Sequence, residues 1–249
     1  MVDASEVKED YYPKEEKIGL FNYHTHTHYC DGKGSVDDHV THALASGFHS
    51  LGFSSHAPVP FSNDFALKEE DLDNYCREVR SASKRYHDRI GVYLSLEIDH
   101  IPGLTREFGY WKERCGLDYT IGGVHLVRSP DHEGLWFTDG SKQETYDRGL
   151  RELFDGDIRK AVAAFYGQTI DMVRQQRPDI LAHFDKVRMH NRDRYFSQDE
   201  PWYIAWVEAV LDAARDAGCI IEVNTRGLYK KRSDDFFPAS WTLPLIRQR

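Results

Sequence analysis

From Ile18 onward, short apolar runs rich in β-branched and aromatic residues alternate with longer stretches of helical period. This is the pattern of repeated βα units around a mainly parallel sheet. The runs at 18–24, 50–54, 90–96, 119–124, 180–182 and 219–223 predict strands, and helical spacing predicts helices over 36–46, 69–87, 105–115, 158–175 and 201–217. Pro201 suits a first helical turn, where its missing N–H would have had no intrahelical partner. Gly47 and Gly218 suit helix ends, where a residue without Cβ turns left-handed freely. Each predicted strand is followed by a polar loop, and a single domain over 18–249 is expected.

Three stretches depart from this rhythm. Residues 1–17 are charged, carry Pro13 and show no apolar period, so they read as a mobile lead-in. Residues 129–156 are too long for a typical βα loop and carry Trp136, Phe137, Tyr146 and Phe154 among polar residues. Such an insertion is either a lid over a site or a packed surface excursion, and the pattern alone leaves both open. The chain closes on a helical stretch at 243–249 with no seventh strand behind it. The expectation is therefore that the last βα unit is missing and that the sequence is a truncated copy of a longer chain, since an open sheet edge invites pairing.

Composition narrows the function. Acidic residues number 41 against 32 basic ones, a formal charge of −9, which argues against broad binding to nucleic acid or an anionic membrane. A small anionic ligand would need a local basic pocket. No run approaches the roughly 18 apolar residues of a membrane span, and the first residues lack a basic segment followed by an apolar one. Cys30, Cys76, Cys115 and Cys219 lie far apart, so reduced thiols in a cytoplasmic protein are expected.

The chain has 13 histidines, and their positions carry the chemistry. His24 and His26 follow the first predicted strand, His56 the second, Glu97 the third, His125 the fourth, His183 the fifth and Asn224 the sixth. Carboxyl ends of parallel barrel strands converge on one face, so these residues can meet around one centre. Imidazoles and a shared carboxylate are ligands for zinc, manganese or iron, and a bridging Glu can hold two cations together. The alternation of His24 and His26 places both rings on one side of an extended segment. A lone HxH reads as a strand end with polar caps, and Glu97 alone as an ion-pair partner; the constellation overrides both. In the loop after the first motif Asp31 is a further ligand candidate, while Cys30 packs. His39, His42, His49, His87, His100, His132 and His190 fall off the strand-end pattern and take surface or packing roles.

The run His24-Thr25-His26-Thr27-His28-Tyr29-Cys30-Asp31-Gly32, with Gly52 to His56, Leu96-Glu97, Gly122-Gly123-Val124-His125 and Leu181-Ala182-His183, resembles the PHP family of polymerases and histidinol phosphatases. The insertion with Trp136 and Phe137, the helix start Asp157-Ile158-Arg159 and the segment Glu222-Val223-Asn224-Thr225 resemble its histidinol-phosphatase branch. The resemblance implies a distorted, TIM-like (β/α)7 barrel, here without its last βα unit, and two or three divalent cations. His24, His26 and Glu97 would bind one, Asp31 and His56 another, and Glu97, His125 and His183 a third. Two departures matter: Asn22 stands where the family commonly has Asp, and the family's closing Asp-x-His is not found, so fewer cations and impaired turnover are expected.

The implied reaction is hydrolysis of L-histidinol phosphate by a metal-activated hydroxide held by Glu97, His24 and His26, in line with the ester oxygen. Arg188 and Arg226 are the phosphate-clamp candidates, Asn224 and Trp136 further substrate contacts, and Phe137 and Asp139 candidates for the amine and imidazole. No side chain is assigned as general acid. The competing readings are a PHP-type phosphoesterase for nucleotides or other small esters, and a catalytically impaired metal-binding protein. The only partner expected is the small phosphorylated substrate, with oligomeric state left open.

Overall fold

The first βα unit shows how the pattern becomes structure. In the computed structural model, which describes residues 19–249, strand β1 (Leu20–Thr25) leads through a loop to helix α1 (Val36–Ala45) and strand β2 (Phe48–Phe53). Ser35 starts α1: its hydroxyl accepts from Asp38 N, and the Asp38 carboxylate accepts from Ser35 N, satisfying donors the first turn leaves free. Val36, Val40 and Ala43 recur at helical spacing and are buried. The lead-in expected over 1–17 lies outside the described residues.

The chain continues through α2 (Leu72–Tyr86), β3 (Gly91–Leu94), β4 (Glu97–Asp99), α3 (Phe108–Cys115), β5 (Ile121–Gly123), β6 (Leu126–Arg128), β7 (Leu135–Phe137) and α4 (Gln143–Leu153). After it come α5 (Ile158–Gln176), β8 (Ile180–Leu181), α6 (Pro201–Ala217), β9 (Ile220–Ile221), α7 (Arg226–Tyr229) and α8 (Leu243–Gln248). One parallel sheet has the order β1-β2-β3 and a second β4-β5-β8-β9. The run expected as one strand over 90–96 is split because it changes partner: β3 pairs with β2, whereas β4 pairs with β5. A bridge between His56 and Glu97, with Glu97 N donating to Ser55 O at 3.1 Å and Ala57 N to Glu97 O at 2.8 Å, joins the two sheets.

The expected α/β class with parallel strands is what forms. Among the described residues β1 and β9 pair on one side only, so the hydrogen bonding does not close a barrel. Leu20 and Phe21 on β1, and Ile220 on β9, are exposed along these edges. No described helix is long and apolar enough to cross a membrane.

Residues 129–156 are a packed wall. β6 and β7 form an antiparallel hairpin, and α4 folds back onto it. Trp136 is fully buried, stacks near Tyr146 and Phe154, and donates from Nε1 to Tyr146 O at 2.9 Å. Burying an indole with its N–H satisfied anchors the segment.

Candidate metal centre

The strand ends deliver their side chains to one point. His24 Nε2, His26 Nε2 and Glu97 Oε2 form a triangle with sides of 3.2, 3.1 and 3.1 Å. His56 Nδ1 stands 3.3 Å from Glu97 Oε2, and His125 Nε2 and His183 Nε2 stand 3.4 and 2.9 Å from Glu97 Oε1. Two ligands about 2.0–2.1 Å from one cation, at angles between 90° and tetrahedral, are roughly 2.8–3.4 Å apart. The donor spacing therefore fits divalent cations gathered around Glu97.

Carboxylates behind the rings orient them. His24 Nδ1 meets Glu222 Oε1 at 2.6 Å, His26 Nδ1 meets Asp31 Oδ1 at 2.6 Å, and His125 Nδ1 meets Asp99 Oδ1 at 2.9 Å. A carboxylate accepts, so Nδ1 carries the hydrogen and the Nε2 lone pair faces the centre, the arrangement that metal-binding imidazoles use. His56 Nδ1 is buried with no hydrogen-bond partner, as expected of a donor atom meant for a cation. Gly123 gives the cluster room: a Cβ there would lie 3.2 Å from His125 Cε1 and 3.3 Å from Glu97 Oε1. His183 has φ +24° and is tethered by its N–H to Glu222 Oε2 at 3.2 Å, a strained backbone held by its surroundings.

Charge is unevenly spread. Burial opposes a charge on His24, but Glu222 and Glu97 outweigh it and push its pKa up to about 9. Burial likewise loses to Asp99, Asp139 and Glu97 at His125, pushed up to about 10. At His56 and His183 burial wins and the pKa falls to about 4. Glu97, despite full burial, is held well below the carboxylate range by His24, His56 and His125.

Of the residues expected at the site, His24, His26, His56, Glu97, His125 and His183 are brought together. Sets of donor atoms within 4.8 Å of one another are His24, His26 and Glu97; His26, Asp31 and His56; and His56, Glu97 and His125. Asp31 also accepts from Arg226 Nη2 at 3.1 Å, which sets that guanidinium at the mouth of the cluster. Asn224 supports the site from behind, donating from Nδ2 to Glu222 Oε1 at 3.1 Å. Asn22 caps the His24 backbone N–H through Oδ1 at 2.8 Å, so the negative charge behind the His24 ring comes from Glu222 instead.

Two expected substrate contacts are not brought to the cluster. Arg188 turns away from it, pairing through Nε with Asp185 at 2.6 Å, donating to Phe236 O and lying 4.5 Å over the Phe237 ring. Trp136 is spent in the hydrophobic core. Conversely, Asp99, Glu222 and Lys186 join the surroundings of the centre without being among the residues expected there. Asp99 lies two residues from Glu97 on the same strand and so shares its face, a signal that was available. Lys186 Nζ lies 3.3 Å from Asp139 Oδ2, itself 3.9 Å from His125 Nε2, while Asp139 Oδ1 is buried without a partner.

The PHP domain family model matches residues 22–226. A histidinol-phosphatase of Bacillus subtilis (strain 168) is 24% identical over 249 residues, spanning 91% of this chain and 88% of that one. A Listeria monocytogenes structure named as a histidinol phosphatase, hisK, superposes with a TM-score of 0.79 at 16% identity, covering 92% of this chain and 91% of the other. The Lactococcus lactis histidinol phosphate phosphatase, solved with zinc, L-histidinol and phosphate, gives a TM-score of 0.54 at 21% identity, covering 84% of this chain and 74% of that one.

Proposed function

Because the chain belongs to the PHP domain family, we propose that it is a metal-dependent phosphatase that hydrolyses L-histidinol phosphate to L-histidinol and phosphate. The observation that carries this reading is the ring of imidazoles around Glu97 at ligand spacing, His24, His26, His56, His125 and His183. The histidinol-phosphatase of Bacillus subtilis and the zinc, L-histidinol and phosphate in the Lactococcus lactis structure support the substrate. The parallel strand order with edges at β1 and β9 is compatible with a distorted (β/α)7 barrel lacking one strand.

The imidazoles with Glu97 and Asp31 would hold two or three divalent cations, zinc, manganese or iron, which would supply Lewis acidity for ester hydrolysis. The chain's own groups do the rest. Arg226, steadied by Asp31, takes a phosphoryl oxygen through a charge-assisted hydrogen bond. Asp139, with one oxygen unpartnered beside His125, receives the substrate ammonium, and Lys186 keeps that carboxylate in place. Glu222, Asp31 and Asp99 hold the His24, His26 and His125 rings against rotation.

A panel of phosphate monoesters tests the reading. With zinc or manganese supplied, kcat/KM for histidinol phosphate is expected to exceed that for a nucleoside monophosphate or p-nitrophenyl phosphate by at least tenfold, and Asp139→Asn to raise KM for histidinol phosphate alone. Equal turnover across the panel would leave a general small-ester phosphoesterase as the better description.

A further inference from the structure

A second concavity, of about 530 Å³, lies between residues 188–193 and the segment 228–234 that follows α7. Arg188, Arg192, Lys231 and Arg232 line it against Asp193 and Asp234, and none of these belongs to the cluster around Glu97. Arg188 is balanced by Asp185, so Arg192, Lys231 and Arg232 face two carboxylates, a local surplus of one positive charge in a chain of net charge −9. Some arginines elsewhere are neutralised in place, as Arg80 is by Asp118, Arg114 by Asp73 and Arg194 by Asp147, while others such as Arg128 and Arg177 donate to backbone carbonyls. Among the described residues Arg192, Lys231 and Arg232 form no such pair. Arg192 instead donates from Nη2 to Arg232 O at 3.1 Å, fastening the two rims of the cavity together.

The backbone adds an independent sign. Arg192, Asp193 and Lys231 have φ of +45°, +56° and +55°, left-handed conformations that residues with a Cβ adopt only at a cost and that gather at ligand clamps. All three line this cavity. The chain thus accepts local strain to turn unpaired cations toward one space.

We propose that this cavity is a second anion site, which takes the phosphate of a small phosphate monoester and is separate from the metal centre. At neutral pH such a group carries about −1.5 to −2 charges, and the three cations of the lining that have no ion-pair partner attract it. Guanidinium forks bind its oxygens in pairs, which a single ammonium cannot do. The volume lies within the range of small-molecule sites. Arg188 connects the cavity to the centre: its Nε holds Asp185, two residues after His183, and its guanidinium lies over the Phe237 ring, as does the Lys186 ammonium at 5.4 Å.

The test counts phosphate on the metal-loaded protein by equilibrium dialysis, with ribose 5-phosphate and succinate as competing probes. Two inorganic phosphates per chain are expected, of which only one is lost on chelation. R192A/R232A loses the other, weakening it about 100-fold, and keeps the basal turnover. Ribose 5-phosphate is expected to displace this second phosphate and succinate not to. R192K/R232K, which keeps the charge without the forks, recovers part of the affinity and separates loss of binding from loss of fold, as does K231A at an exposed position. One phosphate per chain in the parent protein, or two retained in R192A/R232A, overturns the proposal, as does displacement by succinate as readily as by ribose 5-phosphate. The count does not depend on which ester the metal centre hydrolyses, so an inactive histidinol phosphate assay would leave it standing.

Discussion

Glu222 offers the sharpest perturbation, because replacing it by Gln changes charge and hydrogen-bond polarity with almost no change in shape. Its Oε1 accepts from Asn224 Nδ2 at 3.1 Å and from His24 Nδ1 at 2.6 Å, and its Oε2 accepts from His183 N at 3.2 Å. An amide has one acceptor oxygen, so E222Q cannot serve both sides. With the amide NH2 toward His24, the ring must accept at Nδ1 and carry its hydrogen on Nε2, which aims a proton rather than a lone pair at the centre. With the NH2 toward His183, a strained backbone N–H loses its acceptor. A charge-assisted hydrogen bond is worth about 1.5–3 kcal/mol, which at about 1.4 kcal/mol per decade is roughly a 10- to 100-fold effect. That is also the size expected for a group behind a metal-bound imidazole. Zinc affinity measured by chelator competition should fall by about this factor, and the metal-free protein should also melt lower, because Glu222 holds His24 charged. If E222Q bound zinc within twofold of the parent and turned over substrate normally, the orienting role of Glu222 would be refuted.

The remaining expectations concern the wall and the acid–base behaviour. Trp136→Ala removes a fully buried indole packed on Tyr146 and Phe154 and should cost about 3–5 kcal/mol in denaturant unfolding; an undiminished stability with a raised KM would return Trp136 to the substrate. In the metal-free protein His24 and His125 have pKa values raised to about 9 and 10, so their stabilising contribution is complete below the ordinary histidine value of about 6.5 and is lost as pH rises through 9 and 10. His56 and His183, depressed to about 4, contribute above about 6.5 and lose that contribution as pH falls through 4. Melting in a chelator should therefore peak near neutral pH and decline on both sides, and a steady rise from acid to alkali would contradict it. Zinc affinity over the same range should climb with pH, since cations must displace the protons on His24 and His125.

What was legible in the sequence follows from which signals are local. The bounds of α6 match the prediction of 201–217 because Pro201 and Gly218 mark both ends chemically. The imidazoles were legible because each follows a strand, and chain direction alone puts strand ends on one face. Asp99 escaped notice because the third strand was expected to finish at Leu96, whereas β4 begins at Glu97. Glu222 was hidden for the opposite reason: the last strand was expected to run to Val223, while β9 stops at Ile221 and leaves Glu222 at its end. The hairpin β6–β7 has strands of three residues, too short for periodicity to register, and α4 behind it was read as part of the same irregular stretch. The direction Arg188 takes depends on the tight turn at Lys186–Arg188, which no residue pattern encodes.

The change of partner between β3 and β4 has a mechanical meaning. It divides the strands into two plates that meet along a seam at the His56–Glu97 bridge. His24, His26 and His56 belong to the plate of β1 and β2, and Glu97, His125 and His183 to the plate of β4, β5 and β8. A cation held by His24, His26 and Glu97 would span that seam, and its binding free energy would favour the joined plates. Glu97, which gathers the donor atoms, is thus also the residue whose backbone fastens the two plates.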